Sequence, residues 1–199
     1  MDRPTLLSLL AFSLVMSITP GPNNLLLSTS ALAHGFRKTL PAMAGTLLGV
    51  GLVFLAAGAG IGVLLLSIPG LHTGLKVVGA GYLLYLAWQL WVVRPGKQGD
   101  GRASVGFWHG AIFQFANPKA WMMTISAVGI YVAPASDYVG RLLMVTSIFL
   151  VVSTPSITLW TGFGAGMRAL IHDPGQALIF NRGMALLTAV SAILILVWT

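Results

Sequence analysis

Thr19-Pro20-Gly21-Pro22-Asn23-Asn24 stands at the middle of one long apolar stretch, residues 5–33, and Asn117-Pro118-Lys119 stands at the middle of another, residues 105–133. Proline has no amide donor and its ring clashes with the carbonyl one turn back, so neither stretch is expected to run through its centre as an unbroken helix. Unwound backbone deep in hydrocarbon is tolerated where it is buried in protein or lines a cavity. Matched breaks in two halves of a chain are the sequence pattern that points to a transporter binding site.

The solvent around these stretches follows from composition. Of 199 residues, 56% are apolar and 8% charged, with a mean hydropathy of +0.88, whereas a soluble domain carries about 25% charged residues. So little charge cannot cover a water-soluble globule, and the surface is expected to face lipid. A spanning helix takes roughly 20 mostly apolar residues, and six stretches qualify: 5–33, 40–67, 71–93, 105–133, 139–167 and 177–198. The reading is an all-α integral membrane protein, a single transmembrane domain over 1–199 with no room for a soluble domain. The first stretch begins like a signal peptide, but no small-x-small cleavage site follows it, so it is read as a retained span.

Comparison of the halves suggests an internal repeat, about 1–95 and 105–199. Arg37 has Arg141 as its counterpart 104 positions later, and Gly58, Gly60 and Gly62 match Gly162, Gly164 and Gly166 at the same offset. A three-span unit repeated in tandem enters the membrane upside down the second time, which gives two inverted three-helix repeats with broken first and fourth helices. Glycine-rich segments such as Gly45-x3-Gly49, Gly58-x-Gly60-x-Gly62, Gly79-x-Gly81 and Gly162-x-Gly164-x-Gly166 are read as faces where backbones approach closely, and they would also permit a homodimer. Lys and Arg near short loops set orientation. Arg37, Lys38, Arg94, Lys97, Arg102 and Arg168 fall on one side against Arg3, Lys76 and Arg141 on the other, so both termini are expected outside.

The charged residues narrow the chemistry. There is no cysteine and no glutamate, and all four acidic residues are aspartates, Asp2, Asp100, Asp137 and Asp173. No thiolate metal site, disulfide, Gly-x-Ser-x-Gly elbow or His-Glu-x-x-His motif is available, so neither an enzyme nor a cofactor or metal is expected. The net charge of +7 comes from scattered basic residues flanking spans, which argues against a nucleic-acid partner. A lysine near the bilayer centre costs about 2.5 to 3.5 kcal/mol on insertion scales. Lys119 is therefore expected to face a cavity, and with no aspartate near mid-span its anionic partner is expected to be the substrate. The six tryptophans and four tyrosines fall mostly near span ends and read as interfacial anchors, with Trp121 beside Lys119 as an alternative cavity wall. Pro155 is expected to break the fifth span.

With these residues in view, Thr19-Pro20-Gly21-Pro22-Asn23, His34-Gly35-Phe36-Arg37, Gly81-Tyr82-Leu83-Leu84-Tyr85-Leu86-Ala87-Trp88 and Gln114-Phe115-x-Asn117-Pro118-Lys119-Ala120 resemble the LysE/RhtB amino-acid exporter family over nearly the whole chain. Within it the sequence looks closest to the exporters of cysteine and O-acetylserine or of homoserine and threonine. The resemblance implies an inner-membrane secondary exporter of amino acids or close derivatives, driven by proton antiport. A passive channel or a lipid-handling protein built on the same broken helices is the alternative. The expected substrate site comprises Thr19, Pro20, Gly21, Pro22, Asn23, Asn24, Gln114, Asn117, Pro118 and Lys119. The positive end of a half-helix after Pro20–Pro22 or Pro118, together with Lys119, would meet a carboxylate, and freed carbonyls would meet an ammonium. The candidates for carrying a proton are Asp137, Asp173, His172, His34 and Lys119 itself, with the four histidines otherwise read as solvated loop residues.

Overall fold

The computed structural model describes residues 1–92, 105–133, 136–171 and 173–197, and every regular element among them is helical. Arg94, Lys97, Asp100, Arg102, His172 and Trp198, used in the sequence reading, lie outside the described residues. Helix α1 (Arg3–Ile18) stops at the first break and α2 (Pro22–His34) resumes after it, with a bend of 50° between them. Next come α3 (Phe36–Gly58), α4 (Ile61–Ser67) and α5 (Pro69–Val92). The second break separates α6 (Phe107–Ala116) from α7 (Pro118–Ala127), which runs on through a wider π-helical turn, Val128–Val132. Then α8 (Tyr138–Leu170) and α9 (Pro174–Val197) complete the chain.

Among the described residues three helices are long and apolar enough to cross a membrane, Phe36–Gly58, Tyr138–Leu170 and Gly175–Leu194, and a fourth crossing is available if the bent pair α1 and α2 counts as one. Helix α3 is central, with 56% of its apolar window buried, against 28% for α9. Leu7, Val63, Trp88, Trp108, Val151 and Ile179 point large apolar surfaces outward, as residues solvated by lipid do.

Two apolar stretches depart from the sequence reading. Residues 40–67 do not form one helix, because the chain turns at Ala59–Gly60 and Gly60 takes a left-handed conformation at φ 94°, which glycine adopts without the Cβ penalty. The fifth stretch, by contrast, is not broken: α8 continues through Pro155. The Thr154 hydroxyl bonds the Leu150 carbonyl at 2.8 Å and Thr158 bonds Thr154 in the same way, so side-chain hydroxyls reinforce the turns around the proline.

Packing exchanges the two broken helices between the two long ones. The pair α1 and α2 lies chiefly on α8, the pair α6 and α7 chiefly on α3, and α5 lies on α9. Small residues make these crossings close. A Cβ on Gly45 would collide with the Phe107 carbonyl, one on Gly110 with the Ala42 carbonyl, and one on Gly164 with the Ser28 carbonyl. The matched glycines of the two halves do not share an environment: Gly60 forms a turn while Gly164 sits inside α8 against α2, and Gly58 and Gly62 would meet Leu142 and Ile125 where Gly162 and Gly166, like the unmatched Gly81, meet nothing within 4 Å. The Arg168 guanidinium donates to the Ala33 carbonyl at 2.6 Å, which brings the connection after α2 and the end of α8 to one side. Tyr138 donates to the Gly58 carbonyl at 2.7 Å, which brings the start of α8 to the end of α3.

The three described aspartates begin helices. Asp2 accepts from Thr5 N at 3.2 Å, Asp137 from Gly140 N at 3.0 Å and Asp173 from Gln176 N at 3.0 Å, each satisfying an orphan amide of a first turn. Exchange of Asp137 or Asp173 for Ala should lower stability in detergent by roughly 0.5–2 kcal/mol, the usual effect of losing a cap, with transport retained. Gly110→Val or Gly164→Val should destabilise by roughly 1–3 kcal/mol or more through backbone overlap, whereas Gly81→Val and Gly162→Val should unfold like the native chain in the same thermal scan.

Candidate functional site

The two breaks meet. Thr19 closes α1, and its carbonyl and hydroxyl both accept from the Lys119 ammonium of α7, at 3.1 and 2.8 Å. Lys119 can lie there because Gly21 has no side chain: a Cβ at that position would stand 3.0 Å from the lysine Cδ and Nζ. A third N–H of the ammonium remains for another acceptor.

Around this link runs a network of amides. The Asn24 amide donates to the Ser17 and Thr19 carbonyls at 2.8 and 3.0 Å, which ties α2 back to the end of α1. Asn23 Oδ1 accepts from Thr46 of α3 and from Gln114 of α6, each at 3.1 Å. Gln114 also donates to the Gly110 carbonyl at 3.0 Å, and its Oε1 meets Asn117 at 3.5 Å. Gln114, Asn117 and Asn24 are buried, and buried amides are costly unless bonded. The four elements α2, α3, α6 and α7 are thereby held in one register at the level of the breaks.

The two half-helix N-termini are not equivalent. Asn117 caps α7, its Oδ1 accepting from Lys119 N at 3.1 Å. Helix α2 has no side-chain cap, and the amides of Asn23 and Asn24 meet no acceptor among the described residues. The partial positive charge of a helix N-terminus is therefore open at α2 and closed at α7. The freed carbonyls are also in use. The Trp160 indole donates to the Ile18 carbonyl at 3.0 Å and the Trp121 indole to the Phe115 carbonyl at 2.9 Å, so each half-helix end is sealed by a tryptophan. Trp121 and Trp160 are thus structural donors at the breaks, neither interfacial anchors nor, for Trp121, a wall of the cavity.

A cavity of about 40 Å³ lies between the breaks. Gly21, Asn23, Asn24, Gln114, Asn117 and Lys119 line it, while Thr19 reaches it through Lys119. Pro20 is exposed, and the Pro118 ring lies where a Cβ on Gly79 of α5 would be, 2.6 Å away. Pro20, Pro22 and Pro118 shape the backbone and do not wall the cavity. The sequence reading did not include Ser17, Thr46, Phe149, Ser153 or Ile157, which also line it. Thr46 lies between Gly45 and Gly49, on a helix face already marked as close packing. Phe149, Ser153 and Ile157 recur every four residues along one face of α8, a signal that becomes legible once α8 is known to cover the first break.

Among the residues lining the cavity Lys119 is the sole titratable one. Asp137 and Asp173 are the helix caps described above. His34, at the end of α2, places Nδ1 3.2 Å from the Ser30 carbonyl. His109 is on α6 and shares a hydrogen bond with the Tyr82 hydroxyl of α5, so it is not a loop residue. Tyr131, buried at 7% exposure and bonded to Ser8 at 2.9 Å, is a core residue and not an interfacial one.

The family model of the LysE type translocators matches residues 14–197. The cysteine/O-acetylserine efflux proteins of Escherichia coli strain K12, Escherichia coli O1:K1 and Shigella sonnei strain Ss046 are each 30% identical over 192 residues, 96% of this chain and 97% of theirs. No solved structure matches the chain. The chain belongs to the LysE type translocator family.

Proposed function

We propose that the protein is a secondary active exporter of small neutral amino acids, of the kind named for its cysteine/O-acetylserine relatives, and that its substrate binds between the two broken helices. One observation carries this reading. Lys119 has neutral partners at the meeting of the breaks, beside an uncapped helix N-terminus, in a cavity with no carboxylate in its lining. An ammonium in a poorly solvated site is held far better by an anion than by a hydroxyl and a carbonyl. A substrate carboxylate takes the place of Thr19 on Lys119 and accepts from the open amides of Asn23 and Asn24. The substrate ammonium binds Gln114 Oε1, which now has a single long contact at 3.5 Å, and the Thr19 carbonyl that Lys119 has released.

The same exchange makes a transport step. Thr19 closes α1 and Lys119 opens α7, so breaking their link loosens the two broken helices at the breaks, where the Asn23–Gln114 and Ser8–Tyr131 hydrogen bonds remain as ties that the movement must also stretch. The crossed pairing of α1 and α2 with α8, and of α6 and α7 with α3, supports six spans arranged as two inverted three-helix repeats. The contacts of Arg168 with Ala33 and of Tyr138 with Gly58 support alternation of the connections between two sides. With Arg37, Lys38 and Arg168 at the cytoplasmic face, both termini are outside a bacterial inner membrane. Coupling is by proton antiport, and because Lys119 keeps its proton to hold the carboxylate, the counter-transported proton is carried by another group.

Labelled cysteine taken up by inside-out vesicles tests this. Lys119→Met should reduce uptake at least tenfold at unchanged protein level, and collapse of the pH gradient should abolish accumulation by the native chain. Full uptake by Lys119→Met overturns the site. Uptake that persists without the gradient and only equilibrates across the membrane marks a passive channel.

A further inference from the structure

The polar end of the cavity accounts for the parts shared by all amino acids, the carboxylate and the ammonium. The rest of the lining is apolar, from Met16, Leu47, Val50, Met123, Phe149 and Ile157, with one exception. Ser17 of α1 and Ser153 of α8 face each other with hydroxyl oxygens 2.8 Å apart, and both line the cavity. Ser17 stands two residues before Thr19, so this pair lies within about 7 Å of chain from the residue that holds Lys119. A carboxylate and the γ or δ atom of the same amino acid lie roughly 3–5 Å apart, three or four bonds of about 1.5 Å, which falls inside that span.

From this juxtaposition we infer that the Ser17–Ser153 hydroxyl pair reads the substrate side chain, and confines export to small neutral amino acids that carry one polar atom, a thiol, hydroxyl or ester oxygen, at the γ or δ position. The inference rests on the cavity being the substrate site. The direction of the hydrogen bonds gives the pair its range. The Ser17 proton is engaged by the Ser13 carbonyl at 2.6 Å, so Ser153 donates to Ser17 and keeps its own lone pairs free. A thiol or hydroxyl on the substrate donates to them. An ester oxygen is served by rotating the Ser153 proton toward the substrate, a torsion that moves no heavy atom.

Exclusion follows from the same lining. A basic side chain would bring a second cation beside Lys119 with no carboxylate to pair with, and an acidic one would bring a second anion to a cavity with a single cation. A side chain without a polar atom leaves the serine pair bonded only to itself, and forfeits the hydrogen bond that the correct substrate makes.

The test compares isosteres. Vesicles containing the native chain take up labelled cysteine, under reductant, in preference to labelled 2-aminobutyrate, which has a methyl group where cysteine has its thiol. The expected preference is about 3- to 10-fold, the worth of one neutral hydrogen bond. Ser153→Ala should bring the ratio close to one, and Ser153→Thr, which keeps the hydroxyl, should preserve it. A merely structural serine would lower uptake of both compounds together and leave the ratio alone. A native ratio of one, or a Ser153→Ala ratio equal to the native value, overturns the inference. Lys119→Met separates the two levels of the argument, since native uptake by that variant overturns the site itself, whereas its loss beside an unaltered Ser153→Ala ratio overturns the serine assignment alone.

Discussion

An ammonium ties the two interrupted helices together at their breaks, beside the Asn23–Gln114 and Ser8–Tyr131 hydrogen bonds. Lys119 sits one residue into α7 and reaches across to the last carbonyl and hydroxyl of α1, and the geometry around it follows from the need to accommodate that charge. Gly21 makes room for the stem, Asn117 fixes the first turn of α7 so that the lysine projects into the cavity, and Asn24 holds Thr19 in place as acceptor. A lysine at this depth is expensive, and hydrogen bonds to two neutral oxygens repay it less well than an anion would. On the proposed reading the site is therefore biased toward a carboxylate while remaining stable without one.

The asymmetry between the breaks gives that bias a direction. Asn117 closes the N-terminus of α7, Gly21 leaves the N-terminus of α2 open, and tryptophans seal the carbonyls that each break frees. The protein thus satisfies most of its unwound backbone internally and leaves a short list of groups for a ligand: amides of α2, a spare N–H of Lys119 and oxygens of the amide network. Close helix crossings at Gly45, Gly110 and Gly164 keep this assembly compact through backbone contact, which explains how a chain with so few ionic side chains maintains a polar centre.

The all-helical membrane character and the position of the breaks were legible in the sequence because both rest on local chemistry, composition in one case and proline in the other. Lys119 was legible because a charge in a long apolar stretch is exceptional. The continuity of α8 through Pro155 was not, since the threonine hydroxyls that reinforce its turns look the same in sequence whether a helix bends or not. Nor was the division of residues 40–67, where a glycine is needed for a left-handed turn in one half of the chain and for close packing in the other. Ser17, Thr46 and Ser153 were missed because a serine or threonine on a spanning helix becomes part of a site only through the partner helix that covers it, and partner helices are set by tertiary packing. The capping role of the aspartates was missed for a similar reason, since a carboxylate at a span end looks the same in sequence whether or not it accepts from a first-turn amide.

The account turns on a carboxylate replacing Thr19 on Lys119. The most direct measurement is competition against binding of labelled cysteine to the purified chain by unlabelled cysteine and by cysteamine, which keeps the ammonium and thiol but has no carboxylate. The account predicts that cysteine competes and that cysteamine fails to displace the label at a hundredfold higher concentration. Equal competition by cysteamine would contradict it.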